Sequence, residues 1–159
     1  MMMDSVSRLL VVILVGVSYV VQTMALNCVY SNRRCSCDPS VTFVTCNDLD
    51  QIPPLNTGGN VTEVTSLTFQ GGNITSITRS SLPLGLTQIT IIGNPLTNIS
   101  DDALDATAAT LQYVYIEGAE FSNLPKALKK VTNLTQLSIV DTAIQDWDIA
   151  TLKKLGATV

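Results

Sequence analysis

The chain has 159 residues, of which 46% are hydrophobic and 14% charged, and it contains no histidine. A chain of this length predicts one domain with a modest core. The formal net charge of −4 argues against a nucleic-acid partner, because so few basic residues cannot neutralise a row of phosphates. The absence of histidine excludes a Ser-His-Asp triad, a Cys-His pair and imidazole metal ligands. We therefore expect a protein that is not an enzyme and that holds neither a cofactor nor a metal.

Residues 1–25 have the pattern of a secretory signal peptide. A short n-region precedes the unbroken apolar run of residues 9–21, and residues 23–25 supply the small side chains that precede a cleavage site. A membrane anchor is the alternative, but a helix of this run would extend about 20 Å, whereas a bilayer core requires about 30 Å. No second apolar segment of spanning length follows. We therefore expect a secreted, extracellular chain that is not an integral membrane protein after signal cleavage.

All four cysteines lie close together, just after this segment. They are Cys28, Cys35, Cys37 and Cys46. An even number of cysteines behind a signal peptide predicts two disulfides formed in an oxidising compartment. Four cysteines allow three pairings, and the one that joins Cys35 to Cys37 is disfavoured because its loop is strained. A zinc site is the competing interpretation, but the spacing lacks the C-x₂-C pairs of structural zinc.

Four segments of the chain share one apolar frame. They begin at Val64, Leu86, Leu111 and Leu134, at nearly constant intervals. Apolar residues recur three, five, ten and thirteen positions after each start. The starting residue and the residues three and five positions later predict a short strand with the turn leading into it, and the residues between them face outward. The residues ten and thirteen positions later predict a return arc that lines the same core. Because one repeat cannot bury this face alone, we expect the four repeats to stack.

Two positions in the frame carry specific expectations. An asparagine eight positions after each start would hydrogen-bond the turning backbone, but only Asn94 provides one. Trp147 occupies a core position of the fourth repeat, so we expect it to pack inside. A β-sandwich is the alternative fold, but sandwich strands lack a matched set of apolar residues in every connection.

The cysteine segment and the repeats together resemble a known family. The pattern Cys28-x₆-Cys35-x-Cys37-x₈-Cys46, continuing to Ile52, resembles the amino-terminal cysteine cap of extracellular leucine-rich-repeat proteins. The resemblance implies an α/β repeat fold, a solenoid with short parallel strands on its concave face and irregular or short helical return arcs. It also implies the family's disulfide pairing, Cys28–Cys37 and Cys35–Cys46. Such a cap would cover the hydrophobic end and the strand edge of the first repeat.

The domain organisation predicted on this basis has three parts. Residues 1–25 are the signal peptide, residues 26–60 the cysteine-rich cap, and residues 61–159 the four repeats. The family often has a second cysteine-rich cap, which the sequence lacks after the fourth repeat. Three alternatives follow: residues 148–155 fold over the open end, the sequence is a short isoform or fragment of a longer receptor, or a homodimer or partner subunit covers that end.

The resemblance implies that outward residues of the concave strands bind the ligand. The candidate binding residues are Gln88, Tyr113, Tyr115, Glu117 and Gln136. The two tyrosines alternate with core residues, so both project from the same face, and exposed tyrosines are effective interface anchors. The alternative is that tyrosine simply suits a strand surface.

Four N-x-[ST] motifs are predicted N-glycosylation sites. They begin at Asn60, Asn73, Asn98 and Asn133. We expect at least two of them to be glycosylated, which would agree with a secretory route. None falls in the middle of the predicted concave face.

The resemblance therefore implies extracellular recognition of a protein or glycan ligand, in adhesion, innate recognition or signalling. An accessory subunit of a secreted enzyme is the alternative. In its acidic, threonine-rich repeats behind a cysteine cap, the chain is similar to the leucine-rich non-catalytic subunits of crustacean luciferases of the oplophorus-luciferin 2-monooxygenase type. A truncated isoform of a longer leucine-rich-repeat receptor is the third possibility.

Overall fold

The structure is a computed structural model that describes residues 28–56 and 63–155. The predicted signal peptide and the Asn60 motif lie outside the described residues. The elements are β1 (Cys35–Cys37), β2 (Phe43–Leu49), β3 (Ser66–Gly72), β4 (Ser76–Ile77), β5 (Gln88–Ile92), β6 (Asn98–Ile99), β7 (Tyr113–Glu117), a 3-10 helix (Lys126–Lys130), β8 (Gln136–Val140) and helix α1 (Ile149–Lys154).

The strands form a solenoid in which each repeat adds one coil. Six strands make one sheet in the order β1-β2-β3-β5-β7-β8, and β4 pairs with β6 in a second, two-stranded sheet. All neighbours in the larger sheet are parallel except β1, which is antiparallel to β2. Equivalent residues of successive repeats are in register, as in the row Leu67, Ile89, Val114 and Leu137. The prediction of a repeat solenoid with a disulfide-bonded amino-terminal segment is confirmed.

The repeated apolar residues build one continuous core. The starting residues Val64, Leu86 and Leu111 are completely buried, and so are the inward residues of β3, β5 and β7. Their alternation with exposed residues follows from the two-residue period of a strand. The fourth repeat differs, because Leu134, Leu137, Ile139 and Ile144 are only partly buried.

Trp147 is not inside the core. The frame predicts a buried side chain at this position, yet Trp147 is 39% exposed. The equivalent residues of the preceding repeats, Ile77, Ile99 and Leu124, are buried because each has a further coil stacked over it. Among the described residues no coil follows the fourth, so the expectation for Trp147 is wrong.

Threonine hydroxyls connect successive coils. The hydroxyl of Thr87 donates to the carbonyl oxygen of Thr65 at 3.0 Å, and that of Thr110 donates to the carbonyl oxygen of Leu86 at 2.8 Å. These carbonyl groups lie just before the strands, and that of Thr65 also accepts from the amides of Thr87 and Gln88, at 2.9 Å each. The abundance of threonine therefore has a structural role in this solenoid.

A column of residues with positive φ lies at the carboxyl ends of the strands. The residues one coil apart in this column are Asp48, Gly71, Gly93, Gly118 and Asp141, with φ of 52°, 66°, 62°, 74° and 50°. Glycine adopts this conformation without a steric penalty. Just after the column, a Cβ added to Gly72 would lie 2.3 Å from the carbonyl oxygen of Leu49. The close approach of the first coil to the cap thus requires glycine at position 72.

The cap closes the amino-terminal end of the sheet. Its disulfides join Cys28 to Cys37 and Cys35 to Cys46, with Cα–Cα distances of 5.6 and 4.0 Å, which is the pairing that the resemblance implies. Tyr30 is buried in the cap, and its hydroxyl donates to the carbonyl oxygen of Ser81 at 2.7 Å. Burial raises the pKa of this hydroxyl. The hydrogen bond of Tyr30 thereby connects the cap to the return arc of the first repeat.

Helix α1 packs at the opposite end, against the 3-10 helix. Asp148 caps it by accepting from the Thr151 amide at 3.1 Å and from the Thr151 hydroxyl at 2.7 Å. Lys129 of the 3-10 helix lies 2.7 Å from the same carboxylate. Leu152 of the helix and Leu155, which directly follows it, are buried. Residues 148–155 therefore cover part of the last coil, while the inward residues of β8 stay partly exposed.

Candidate binding surface on the exposed sheet face

The outward residues of the five parallel strands form a continuous surface, which we call the open face. Strand register arranges them in three rows. The first row is Phe43, Ser66, Gln88, Tyr113 and Gln136; the second is Thr45, Thr68, Thr90, Tyr115 and Ser138; the third is Asn47, Gln70, Ile92, Glu117 and Val140. Neighbouring members of a row are separated by about one strand spacing, roughly 4.8 Å.

A groove of about 250 Å³ lies over β5, β7 and β8, on the carboxy-terminal side of the open face. The side chains that line it are Gln88, Thr90, Tyr113, Tyr115 and Gln136, above the backbone of Ile89 and Val114. Four of the five residues predicted to bind a ligand therefore lie in one groove. In the first row Tyr113 stands between Gln88 and Gln136, so an aromatic ring is flanked by an amide on each side.

Glu117, the fifth predicted residue, lies next to the groove and not in its wall. Its carboxylate accepts a hydrogen bond of 2.5 Å from the Tyr115 hydroxyl. This hydrogen bond raises the pKa of Tyr115, because the phenol can donate it only while protonated. The hydrogen bond also holds the tip of the Tyr115 ring.

The groove differs from a second, more apolar one on the return-arc side. That groove has a volume of about 560 Å³, and its apolar lining comes from leucines and alanines, including Leu82, Leu84 and Ala103. Arg79 and Asp102, whose charged groups lie 3.9 Å apart, stand at its rim. The open face instead offers amides, hydroxyls and phenols, which suit a ligand rich in hydrogen-bonding groups.

Charged pairs lie away from the open face. The salt bridges between described residues are Arg79–Asp102, Lys129–Asp148 and Lys130–Asp105, all on the return arcs. The open face has three positions on each of five strands, and Glu117 is its only charged residue. Because fourteen of these fifteen positions carry uncharged side chains, the open face offers a ligand little charge.

The strand frame predicts that Thr90 faces outward, and Thr90 lines the groove beside the tyrosines although it was not among the candidate binding residues. Sequence reasoning missed Phe43, which lies at the far end of the first row and is 59% exposed. The signal for Phe43 is present in the sequence: Val41, Val44 and Cys46 repeat the spacing of the strand frame, one repeat length before Val64 and its successors. All three are buried, so the cap strand belongs to the same array as the repeats.

The described N-glycosylation motifs present exposed asparagines. Asn73 and Asn98 lie on the return arcs, Asn98 within β6. Asn133 lies shortly before β8, and its side-chain amide donates to the carbonyl oxygen of Ala109 at 2.5 Å. None of the three lines the groove of the open face.

Within residues 28–56 and 63–155, no group of three or more His, Cys, Asp or Glu side chains is placed to hold a metal ion. No helix in these ranges is both long enough and apolar enough to cross a membrane. The chain matches no protein-family model, and neither a curated protein nor a solved structure is significantly similar to it.

Proposed function

We propose that the protein is a secreted leucine-rich-repeat protein that binds an extracellular protein or glycan on its concave face, in adhesion, innate recognition or signalling, without catalysing a reaction. The observation that carries this proposal is the groove in which Gln88, Tyr113, Tyr115 and Gln136 meet. A solenoid brings residues from separate repeats together on one broad surface, which is the usual way in which such arrays recognise their ligands.

The assignment to leucine-rich repeats is supported by the coil length and the frame. The interval between successive repeat starts falls within the range typical of this class, roughly 20–29 residues. Each coil contributes one short parallel strand, and the return arcs hold the two-residue strands β4 and β6 in the first two repeats and the 3-10 helix in the third. The cap disulfides pair first with third and second with fourth, as in the caps of this family.

Secretion is supported by the chemistry of the cap. Disulfides form and persist in oxidising compartments, and all four cysteines of the chain are in disulfides. Expression of residues 1–159 in a secretory host tests this directly. We expect a mature chain in the medium that begins at Leu26 and loses mass on enzymatic removal of N-glycans. Retention in the cell with the predicted signal peptide still attached would contradict secretion.

Binding on the open face can be tested before the ligand is identified. The secreted chain, fused to a dimerising tag, is applied to cell-surface and matrix preparations of its source, and bound protein is measured by immunoassay. We expect Tyr113→Ala combined with Gln136→Ala to reduce binding roughly 30-fold, the effect of losing an interface hot spot. Both side chains are exposed, so their removal leaves the core intact.

Leu84→Ala is the matched control. Leu84 is exposed on the return-arc side, at the rim of the apolar groove. We expect this variant to bind as the unchanged chain does. Equal binding by the open-face variant and by the control variant would reject the open face as the binding surface.

An accessory subunit is the second candidate function, and the last coil favours it. Leu137 and Ile139 are partly buried, and Trp147 and Ile149 are exposed. A partner subunit or a second copy that packs here would remove this apolar surface from water. Purification of the tagged chain from its source, with light scattering and mass spectrometry, would then yield a stoichiometric partner or a dimer. Recovery of a monomer, unaffected by Trp147→Ser, would reject this function.

A further inference from the structure

We propose that the ligand of the open face is an uncharged, unbranched glycan that lies across the strands, along the first row. This inference rests on the proposed function, since it names the ligand class for the same surface. The row runs from Phe43 in the cap to Gln136 in the last strand.

The distribution of charge is the first argument. The open face has one carboxylate, Glu117, and no cation, and that carboxylate accepts a short hydrogen bond from Tyr115. The first row and the groove contain no charged side chain, and the nearest charged groups beside Glu117 are Asp141 after β8 and the cap residues Arg33, Arg34 and Asp48 next to Asn47. A strongly charged ligand along the first row, such as a sulfated glycan or a basic protein patch, would find no oppositely charged partner in that row. It would lose its hydration without compensation. An uncharged ligand does not incur this cost.

The chemistry of the first row is the second argument. Tyr113 is 42% exposed and stands between the amides of Gln88 and Gln136. A pyranose ring has an apolar C–H face and an equatorial rim of hydroxyls. The ring of tyrosine can cover the apolar face, while each glutamine amide can both donate to and accept from the hydroxyls. Aromatic and amide groups thus meet both kinds of sugar surface at once.

The length of the row is the third argument. Phe43 is a second exposed aromatic residue in the same row, three strands from Tyr113. At the usual strand spacing, the two rings are about 14 Å apart along the row. Ser66 and Gln88 provide polar groups between them. An extended oligosaccharide can contact both rings, whereas a disaccharide can contact only one.

The experiment uses the full secreted chain and a ladder of neutral oligosaccharides. The probes are β-linked glucose and N-acetylglucosamine oligomers, from disaccharide to hexasaccharide, with heparin and polygalacturonate as anionic controls. Calorimetry or affinity electrophoresis measures binding. For at least one neutral series, we expect affinity to rise with length and to persist in high salt. High salt leaves it unchanged because no ion pairs contribute.

Variants separate the roles of the two aromatic residues. We expect Tyr113→Ala to weaken binding of every length roughly 10- to 30-fold, and Tyr113→Phe to retain it, because the ring is kept. Phe43→Ala should lower the affinity of the hexasaccharide and leave that of the disaccharide unchanged. Leu84→Ala should change neither.

Failure of this inference is distinct from failure of the proposed function. Absence of binding to every neutral oligosaccharide overturns the glycan assignment. If Tyr113-dependent binding to cell-surface preparations then persists and is abolished by protease, the ligand is a protein and the open face remains the binding surface. If no binding depends on Tyr113, both proposals are overturned.

Discussion

The first and last strands of the parallel array bury the same frame to different degrees. In β2, Val44 and Cys46 are completely buried, whereas Leu137 and Ile139 occupy the equivalent positions of β8 and are only partly buried. The side chains are comparably apolar, so hydrophobicity alone does not explain the difference. Burial in a solenoid is decided by what lies on each side of a coil.

Different structures cover the two ends. At the amino-terminal end, β1 pairs antiparallel with β2, and two disulfides hold the segment in place. At the other end, β8 is the edge strand of the described sheet, and only helix α1 packs nearby, against the 3-10 helix. An edge strand presents unpaired backbone groups as well as apolar side chains. We therefore expect the coils next to the cap to be more stable than the last coil.

Reduction of both disulfides should have the largest effect on the difference in stability between the two ends. All four cysteines belong to the cap, so a reductant acts on that end alone. We expect the free energy of unfolding to fall by about 2–5 kcal/mol for each disulfide. Amide hydrogen exchange should show that protection of β2 and β3 falls to the level of β8. Unchanged protection in β2 would show that packing alone maintains the cap.

Two single leucine truncations at equivalent positions should have the next largest effect on the free energy of unfolding. Leu67 in β3 and Leu137 in β8 occupy equivalent positions in the frame, but Leu67 is 0% exposed and Leu137 is partly exposed. We expect Leu67→Ala to lower the free energy of unfolding by about 2–5 kcal/mol, as for a buried leucine. Leu137→Ala should cost about 1 kcal/mol, because less apolar surface is lost. Urea denaturation measures both values, and equal losses would contradict the expected difference between the two ends.

Acidification should have the smallest effect on stability, and this effect should be confined to the carboxy-terminal end. Hydrogen bonds from Lys129 and Thr151 hold the pKa of the Asp148 carboxyl below its ordinary value of 3.8. A carboxyl whose pKa is lower in the folded state stabilises that state above the unfolded pKa. This contribution is constant from neutral pH to about pH 4 and is lost as the pH falls further.

Two substitutions at Asp148 separate charge from capping. We expect Asp148→Asn to keep the cap of α1, since asparagine is an equally good N-cap residue, while removing the acid dependence. Asp148→Ala should also raise hydrogen exchange in α1 at neutral pH. If hydrogen exchange in α1 changed with pH to the same extent in the unchanged protein and in both variants, this role for Asp148 would be ruled out.

Much of the fold could be predicted from local patterns. The apolar frame predicted the strands, and the alternation within each strand predicted which side chains face outward, because a strand has a two-residue period. The same alternation selected Tyr113 and Tyr115 as exposed candidates. The nearly constant interval between repeat starts predicted that the strands would stack as a solenoid.

Other features depend on contacts between residues that are distant in the chain. Trp147 has the right position in the frame but no described coil beyond it, so it stays exposed. Phe43 joins the first row only because β2 pairs in register with β3. Glu117 lies outside the groove because the groove is lined by the first two rows and Glu117 belongs to the third.

The sequence by itself determined the repeating coil, the inward and outward sides of each strand, and the concentration of cysteines at one end. These follow from spacing along the chain and from the preference of apolar groups for burial. Tertiary structure alone decided which outward residues share the groove and how deeply each coil is buried. The physical reason is that strand register and coverage by a neighbouring coil are properties of residue pairs from different repeats, which no local pattern contains.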